Sequence, residues 1–290
     1  MTASPGWKRP RRIEGWSGAS FAPRLPAILL VALLGLAAVV RPTAPFVFIA
    51  VLFAYLFARR FGNRSTALAA VLPAAAILVW RSLPQPAADF TGLDCASLLA
   101  PPALWRLLEA VVGLLAIGAL VWDRRASLGE LGFRRGSRRV RAVAIVGLLV
   151  LAPIAVYAGT VVGGGQLGGS LFGSYTLDLS QPLAVLPALM FAASNTLAEE
   201  FAYRGAMRTW LTPALGIVGA NLAQAIVFGL AHSGADFVGV AAVLPTMAAM
   251  VAVGFVGGII ARRTGSLTLV LALHAAADIP IYLYWACRIS

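Results

Sequence analysis

Residues 182–208 read PLAVLPALMFAASNTLAEEFAYRGAMR and place two adjacent glutamates within a mostly apolar run. A run of about 20 apolar residues is long enough to cross the hydrocarbon core of a bilayer. A charged side chain inside such a run costs about 2.5–3.5 kcal/mol on insertion scales, and a residue that carries this cost is by default a candidate for function. The run therefore predicts a membrane-spanning helix that carries a functional site.

The composition of the whole chain also favours a helical membrane protein. The 290 residues are 60% hydrophobic and 12% charged, with a mean hydropathy of +0.86, 29 glycines and 17 prolines. Soluble domains carry about a quarter charged residues, and glycine and proline are tolerated better in membrane helices than in soluble ones. The composition excludes a disordered chain, a coiled coil, collagen and a disulfide-rich secreted scaffold.

Further apolar runs predict an all-α fold, a polytopic transmembrane helical bundle of eight or nine spans. The first three runs are short for a complete crossing, so the count stays at eight or nine. The runs lie at about 25–40, 44–58, 66–80, 103–122, 142–163, 182–208, 214–235, 238–261 and 267–286.

The basic residues predict the orientation of the bundle. A net charge of +12 could indicate a nucleic-acid partner, but 22 of the 23 basic residues are arginines in short clusters between apolar runs. With a cytosolic amino terminus, 19 of the 23 fall on the inner side, as the positive-inside rule expects, while Arg81 and Arg106 fall toward the other side. We expect a multi-pass protein of the cell (inner) membrane, with the lipid bilayer and not nucleic acid as its partner.

The ionisable residues within the apolar runs are concentrated in the C-terminal half, which also holds both histidines of the chain. Residues four apart share a helix face, so this spacing forms pairs. The pairs are Glu200 with Arg204, Phe228 with His232, and His274 with Asp278, and Glu199 precedes the first of them.

The depth of these residues permits a single site. At about 1.5 Å per residue, Glu199 lies about 14 Å from Arg208, and His274 lies about 16–17 Å from Arg263. His232 lies deeper, at about 20–25 Å, unless its helix is tilted or starts late after Pro213. Three helices can therefore converge near the middle of the membrane.

The same residues resemble the signature of the CPBP family, also called Abi, which includes type II CAAX prenyl proteases and bacteriocin-processing and self-immunity proteins. Its three motifs correspond here to Glu199-Glu200-x-x-x-Arg204, Phe228-x-x-x-His232 and His274-x-x-x-Asp278. Residues 127–133 (SLGELGF) and 262–267 (RRTGSL) resemble flanking segments of the family. The resemblance covers about residues 127–286.

The resemblance implies an intramembrane endopeptidase that needs no cofactor and cleaves a membrane-anchored or prenylated peptide or protein. Glu199 would be the general base and would activate water together with His232. His274 and Asp278 would bind the oxyanion of the tetrahedral intermediate. Glu200, paired with Arg204, would orient the site, and Phe228 would support it.

Asp278 departs from the family pattern, because many members have asparagine at this position. An ionised aspartate only accepts hydrogen bonds and would oppose an oxyanion. Two readings stay open: Asp278 is protonated, or it orients His274 without contacting the intermediate.

These features divide the chain into four regions. Residues 1–24 form a basic cytosolic tail, residues 25–122 a transmembrane region of unknown role, residues 123–141 a basic cytosolic loop, and residues 142–286 a CPBP-like catalytic transmembrane core.

Other interpretations of the same residues stay open. Glu199, His232 and His274 could supply the three protein ligands of a catalytic zinc, although the chain has no HExxH pair. A transporter or proton relay, a non-catalytic membrane partner, and a buried ion-pair cluster that only joins helices are the alternatives outside the enzyme class. Arg106 and Glu109 are interpreted as an interfacial pair. Glycines 254, 257 and 258 are interpreted as positions of close helix packing.

Overall fold

The computed structural model describes residues 24–62, 65–83, 97–98, 100–163, 182–232 and 240–286. The predicted basic tail, except for Arg24, lies outside these residues. The described residues contain helices and no β-strand, which confirms the predicted all-α fold. The helices are α1 (Arg24–Val39), α2 (Ala44–Arg60), α3 (Thr66–Ser82), α4 (Pro101–Arg124), α5 (Arg138–Gly163), α6 (Val185–Glu199), α7 (Arg208–Ala231), α8 (Val240–Thr264) and α9 (Thr268–Ala286).

Several of these helices have the length and composition of membrane spans. Four described stretches are long and apolar enough to cross a bilayer, namely Arg41–Arg60, Pro102–Arg124, Val185–Ala231 and Leu244–Thr264. Arg24–Val39, Thr66–Ser82 and Thr268–Leu283 are apolar but shorter. The protein is therefore an integral membrane protein, and the count of eight or nine spans stays a prediction.

The long apolar stretch Val185–Ala231 is not one straight helix. A π-helical segment, Glu200–Met207, joins α6 to α7, and Gly216 within α7 has φ +73°, which leaves the helical conformation. A straight helix would separate residues 199 and 232 by about 50 Å. Oε2 of Glu199 and Nε2 of His232 lie 3.8 Å apart, so the chain reverses direction between these two residues. The break at Gly216 lies between Pro213 and Asn221, whose side-chain amide donates to the carbonyl of Phe255 in α8 at 3.0 Å.

Helix α3 is the most deeply buried helix of the N-terminal half. Residues 69–78 (AAVLPAAAIL) are all buried, and the helix packs against α1, α2, α4, α7 and the π-helical segment. Small side chains such as alanine let neighbouring helix backbones approach closely in a membrane bundle. Because α3 contacts the π-helical segment directly, its last turn can contribute side chains to a site there.

The two flanking segments that resemble the family lie against each other. Gly132, with φ +86°, accepts a hydrogen bond at its carbonyl from the backbone N–H of Leu267 at 3.0 Å. The Ser266 hydroxyl donates to the carbonyl of Arg134 at 2.6 Å. Phe133 packs on Phe201 of the π-helical segment with ring centroids 4.9 Å apart. These contacts tie the loop before α5 to the turn between α8 and α9 and to the π-helical segment.

Glycines let α8 pack closely against its neighbours, as predicted for Gly254, Gly257 and Gly258. Gly254 and Gly258 face α7, whereas Gly257 faces Arg204 and Val270 of α9. A Cβ on Gly254 would lie 3.1 Å from the Cα of Ala225, and one on Gly257 would lie 3.4 Å from Nε of Arg204. A Cβ on Gly258 would overlap the side chain of Asn221. The close approach of α8 therefore depends on these glycines.

A methyl group added at Gly229 should strongly destabilise the interface between α7 and α8. A Cβ there would lie 2.8 Å from the carbonyl oxygen of Met247 and 2.9 Å from the amide nitrogen of Val251, and neither backbone atom can move alone. We expect Gly229→Ala to lower the free energy of unfolding by about 1–3 kcal/mol. Thermal unfolding in detergent micelles measures this. Gly118→Ala is the matched control, because a Cβ at Gly118 meets no atom within 4 Å. Equal melting temperatures for the two variants would contradict the prediction.

Candidate active site

Two adjacent glutamates lie at the junction of α6 and the π-helical segment. Glu199 is the last residue of α6 and Glu200 the first of the π-helical segment, and both are at most 1% exposed. Successive residues on a helix point about 100° apart, so the two carboxylates face different neighbours. π-helical segments occur frequently at functional sites. The junction therefore presents two buried carboxylates to two sets of partners.

The two oxygens of Glu199 have different surroundings. Oε1 accepts a hydrogen bond from Nη2 of Arg81 at 2.5 Å. Oε2 lies 3.8 Å from Nε2 of His232 and 3.6 Å from Nε2 of His274, and it has no hydrogen-bond partner among the described residues. The predicted convergence of three helices on one carboxylate is confirmed by these distances. Oε2 is a buried acceptor that faces two imidazole rings.

The rings of both histidines are held through their Nδ1 atoms. Nδ1 of His232 is 2.7 Å from the carbonyl oxygen of Phe228, and Nδ1 of His274 is 2.8 Å from Oε1 of Glu200. An Nδ1–H that donates to such an acceptor sets the tautomer and the orientation of the ring. Each ring therefore turns its Nε2 toward Glu199.

Arg204 and Phe228 support Glu200 from one side. Arg204 is 1% exposed, its Nη1 lies 3.2 Å from Oε1 of Glu200, and its guanidinium lies 3.8 Å from the centroid of the Phe228 ring. The same ring packs against His232 at 4.4 Å. The predicted pairs of residues four apart, Glu200 with Arg204 and Phe228 with His232, are therefore in contact. Glu200 also contacts His274, which the spacing of four residues did not predict.

Asp278 lies on the other side of His274. Its Oδ2 is 3.7 Å from Nε2 of His274 and accepts hydrogen bonds from Nδ2 of Asn195 at 2.9 Å and from the hydroxyl of Thr196 at 3.2 Å. The direct hydrogen bond that orients the His274 ring is the one from its Nδ1–H to Oε1 of Glu200. Asn195 and Thr196 are not among the site residues predicted from the sequence, although they precede Glu199 by four and three residues on the same helix.

A second set of residues from the N-terminal half completes the surroundings of Glu199. Nε and Nη2 of Arg81 are 3.1 and 2.6 Å from Oε1 of Glu109. Nη1 of Arg106 is 2.5 Å from Oε2 of the same glutamate. The i,i+3 pair of Arg106 and Glu109 is present, and Glu109 is 0% exposed. Its interpretation as an interfacial pair stays a prediction. Arg81 is buried against Glu199. Its position toward the non-cytosolic side of the membrane stays a prediction.

The donor types around Glu199 would suit zinc, since imidazole nitrogens and a carboxylate oxygen are its common ligands. Among the described residues, however, no group of three His, Cys, Asp or Glu side chains has the arrangement of a metal site. Dependence on zinc, with Glu199, His232 and His274 as ligands, therefore stays a prediction for experiment.

The site lies within the part of the chain that matches a known protein family. Residues 181–280 match the family model Rce1-like, whose description is type II CAAX prenyl endopeptidase Rce1-like. The match confirms the resemblance of this segment to the CPBP family of CAAX proteases, a family of peptidases. It includes every residue of the three motifs, and it excludes residues 127–133, Arg81 and Glu109. No curated protein and no solved structure matches the chain.

Proposed function

We propose that the protein is an intramembrane endopeptidase that hydrolyses a peptide bond in a membrane-anchored or prenylated substrate. The observation that carries this proposal is the free Oε2 of Glu199, which lies 3.6 and 3.8 Å from two imidazole Nε2 atoms. A water molecule can bridge Oε2 and the Nε2 atom of His232, because two atoms less than 4 Å apart can share one hydrogen-bond partner. The family match supports peptide hydrolysis as the reaction.

In the proposed mechanism, Glu199 is the general base. Its Oε2 takes a proton from the water while the water oxygen attacks the carbonyl carbon of the scissile peptide, and His232 holds the water through Nε2. A buried base next to bound water is well suited to this step, because proton transfer needs hydrogen-bond contact. Glu199 then delivers this proton to the leaving amine nitrogen as the C–N bond breaks.

The developing oxyanion needs hydrogen-bond donors, and pre-aimed donors are usually the largest single term in catalysis. We assign this part to the imidazolium form of His274, whose Nδ1–H donates to Glu200 while its Nε2–H donates to the oxyanion, and to Asp278 in its protonated form. Asn195 and Thr196 keep Oδ2 of Asp278 in place. Arg204 and Phe228 fix Glu200 and His232 and do not contact the substrate.

The location of the site accounts for the proposed substrate class. Glu199 and Glu200 are buried within an apolar helical stretch, which supports entry of the scissile bond from the membrane. A membrane anchor or a prenyl group would deliver it there. We further propose a multi-pass arrangement in the cell membrane with a cytosolic amino terminus, as the arginine distribution favours.

Removal of the general base gives the first test. We expect Glu199→Gln and His232→Ala to lower kcat about 10²- to 10⁴-fold on prenylated or membrane-anchored peptides, because general base catalysis supplies an acceleration of this size. The assay is cleavage by purified protein in micelles, analysed by mass spectrometry, with and without a metal chelator. Chelator-resistant cleavage that both variants lose supports the proposal. Cleavage that a chelator abolishes and zinc restores would replace it with the zinc mechanism.

Cleavage that survives in Glu199→Gln would contradict the assigned base. Failure of the wild-type protein to cleave any peptide in the panel would favour a non-catalytic membrane partner, or a proton relay if reconstituted vesicles show proton flux. The variant Arg59→Met serves as a control. It removes the ion pair between Arg59 and Asp123, and the side chain of Arg59 is 56% exposed.

Asp278→Asn separates the two readings of Asp278. If Asp278 donates a hydrogen bond to the oxyanion, the asparagine amide can replace it, and we expect kcat within about tenfold of the wild type. Asp278→Leu, which donates nothing, should lose about 10²-fold or more. Equal losses in Asp278→Asn and Asp278→Leu would show that the carboxylate is needed, and would assign Asp278 to holding His274.

A further inference from the structure

Arg81 contacts Glu199 from a region of the chain that lies outside the family match. We propose that Arg81 is a positioning residue for Glu199. It occupies Oε1, so that Oε2 is the one oxygen of this carboxylate presented to the two histidines. The inference rests on the proposed function, since it states how the base of that reaction is held.

Two contacts with Glu109 hold the guanidinium of Arg81 in place. Two of its nitrogens, Nε and Nη2, contact Oε1 of Glu109 at 3.1 and 2.6 Å, and Nη2 also contacts Oε1 of Glu199 at 2.5 Å. A planar guanidinium with two contacts on one partner has little freedom to rotate. The third contact therefore holds the carboxylate of Glu199 at a defined place.

The charges around Arg81 alternate along a chain of contacts. Arg106 binds Glu109, Glu109 binds Arg81, and Arg81 binds Glu199. Two cations and two anions balance in number, and the inner residues Glu109 and Arg81 are 0% and 7% exposed. A buried charge is tolerated when it is paired, and removing one partner leaves the other uncompensated. Helix α3 thereby supplies the cation that Glu199 needs inside an apolar bundle, and α4 supplies Glu109, which pairs with that cation.

A lysine cannot reproduce this arrangement. Its ammonium is a single point charge on a flexible stem, whereas arginine bridges two carboxylates through a rigid fork. Arg81→Lys should therefore keep the charge and lose part of the positioning, and Arg81→Met should lose both. A residue that only joins helices would affect stability and leave the activity of each folded molecule unchanged.

The experiment compares kcat and KM for the wild type, Arg81→Lys and Arg81→Met, each normalised to the folded fraction measured by thermal unfolding. We expect kcat to fall about 10²-fold in Arg81→Met and about tenfold in Arg81→Lys, with KM changed less than threefold. Arg59→Met is the matched control, because it breaks another arginine–carboxylate pair, at 2.6 Å to Asp123, and should leave kcat unchanged. Wild-type kcat per folded molecule in Arg81→Met would overturn the proposal. If Arg81→Met does not fold, wild-type kcat in Arg81→Lys overturns it instead.

A second readout does not depend on peptide cleavage. Dicyclohexylcarbodiimide is an apolar reagent that adds to protonated carboxyl groups, and mass spectrometry locates the adduct. We expect Glu199 to be labelled in Arg81→Met and not in the wild type, because the unpaired carboxylate takes up a proton in apolar surroundings. Unchanged labelling overturns the positioning role. A labelling difference without peptidase activity in the wild type retains the role of Arg81 and rejects the proposed function.

A cavity between α7 and α8 carries a second, independent inference. The cavity has a volume of about 770 Å³, and its lining includes three arginines, Arg208, Arg262 and Arg263, but no acidic residue among those described. Arg208 is half-buried, and its Nε donates to the carbonyl of Arg204 at 2.9 Å. No ion pair joins the three arginines to any described carboxylate. Three like charges that face one cavity favour an anionic ligand.

The remaining walls of the cavity indicate the class of that ligand. Ile217, Val218, Phe255 and Ile259 line it with apolar surface, and Val218 is 68% exposed, so the cavity opens toward the outside of the bundle. Arg262 and Arg263 lie in the last turn of the apolar helix α8, and Arg208 directly follows the π-helical segment. Basic pockets between transmembrane helices bind phosphate-bearing head groups. We propose that this cavity binds the phosphate of an anionic lipid, with an acyl chain along the apolar wall.

Native mass spectrometry and thermal unfolding of the protein in micelles test the site with added phosphatidylglycerol, phosphatidylcholine or inorganic phosphate. We expect phosphatidylglycerol to bind at least about tenfold more tightly than phosphatidylcholine, and the double variant Arg208→Gln/Arg262→Gln to lose this preference. The control is Arg135→Gln/Arg139→Gln, at two exposed arginines away from the cavity. Wild-type binding in the first double variant would overturn the site. Displacement of the lipid by inorganic phosphate at equal concentration would reject an anionic lipid as the ligand and identify free phosphate as the ligand instead.

Discussion

The ion pair between Arg81 and Glu199 joins the two halves of the chain at the centre of an apolar helical bundle. A lone carboxylate in such surroundings is costly, and the cost is offset only when a cation and hydrogen bonds accompany it. Here the cation comes from α3, which packs against the π-helical segment, and Glu109 of α4 holds that cation. The N-terminal half, whose role the sequence left open, therefore takes part in the surroundings of Glu199.

The remaining contacts of the site follow from the same constraint. Glu200 is compensated by Arg204 and contacts His274, and the guanidinium of Arg204 lies on the Phe228 ring. The carbonyl of Phe228 in turn holds His232. Each buried polar group thus orients the next one, and the sequence of contacts ends at the two Nε2 atoms that face Oε2 of Glu199. That oxygen has no hydrogen-bond partner among the described residues, and this is the feature that a hydrolytic function would use.

Backbone features place these side chains as much as pairing does. The reversal at Gly216 brings residue 232 back to residue 199, and the glycines of α7 and α8 let the helices approach closely enough to enclose Arg204. The π-helical segment begins at Glu200, so the two adjacent glutamates diverge toward different partners. A regular, straight helix over the same residues would separate them from His232 by tens of ångströms.

The sequence by itself determined the helical membrane class and the candidate residues Glu199, Glu200, Arg204, His232, His274 and Asp278, because charges in apolar runs and a spacing of four residues are local properties. The tertiary structure alone decided the partners of those residues. Arg81 and Glu199 are 118 positions apart, and an arginine that follows Trp80 at the end of an apolar run has the pattern of an interfacial charge. The hydrogen bond between His274 and Glu200 joins residues 74 positions apart, and the sequence pattern does not predict it either. Long-range pairing depends on which helix faces meet, and that is settled by packing.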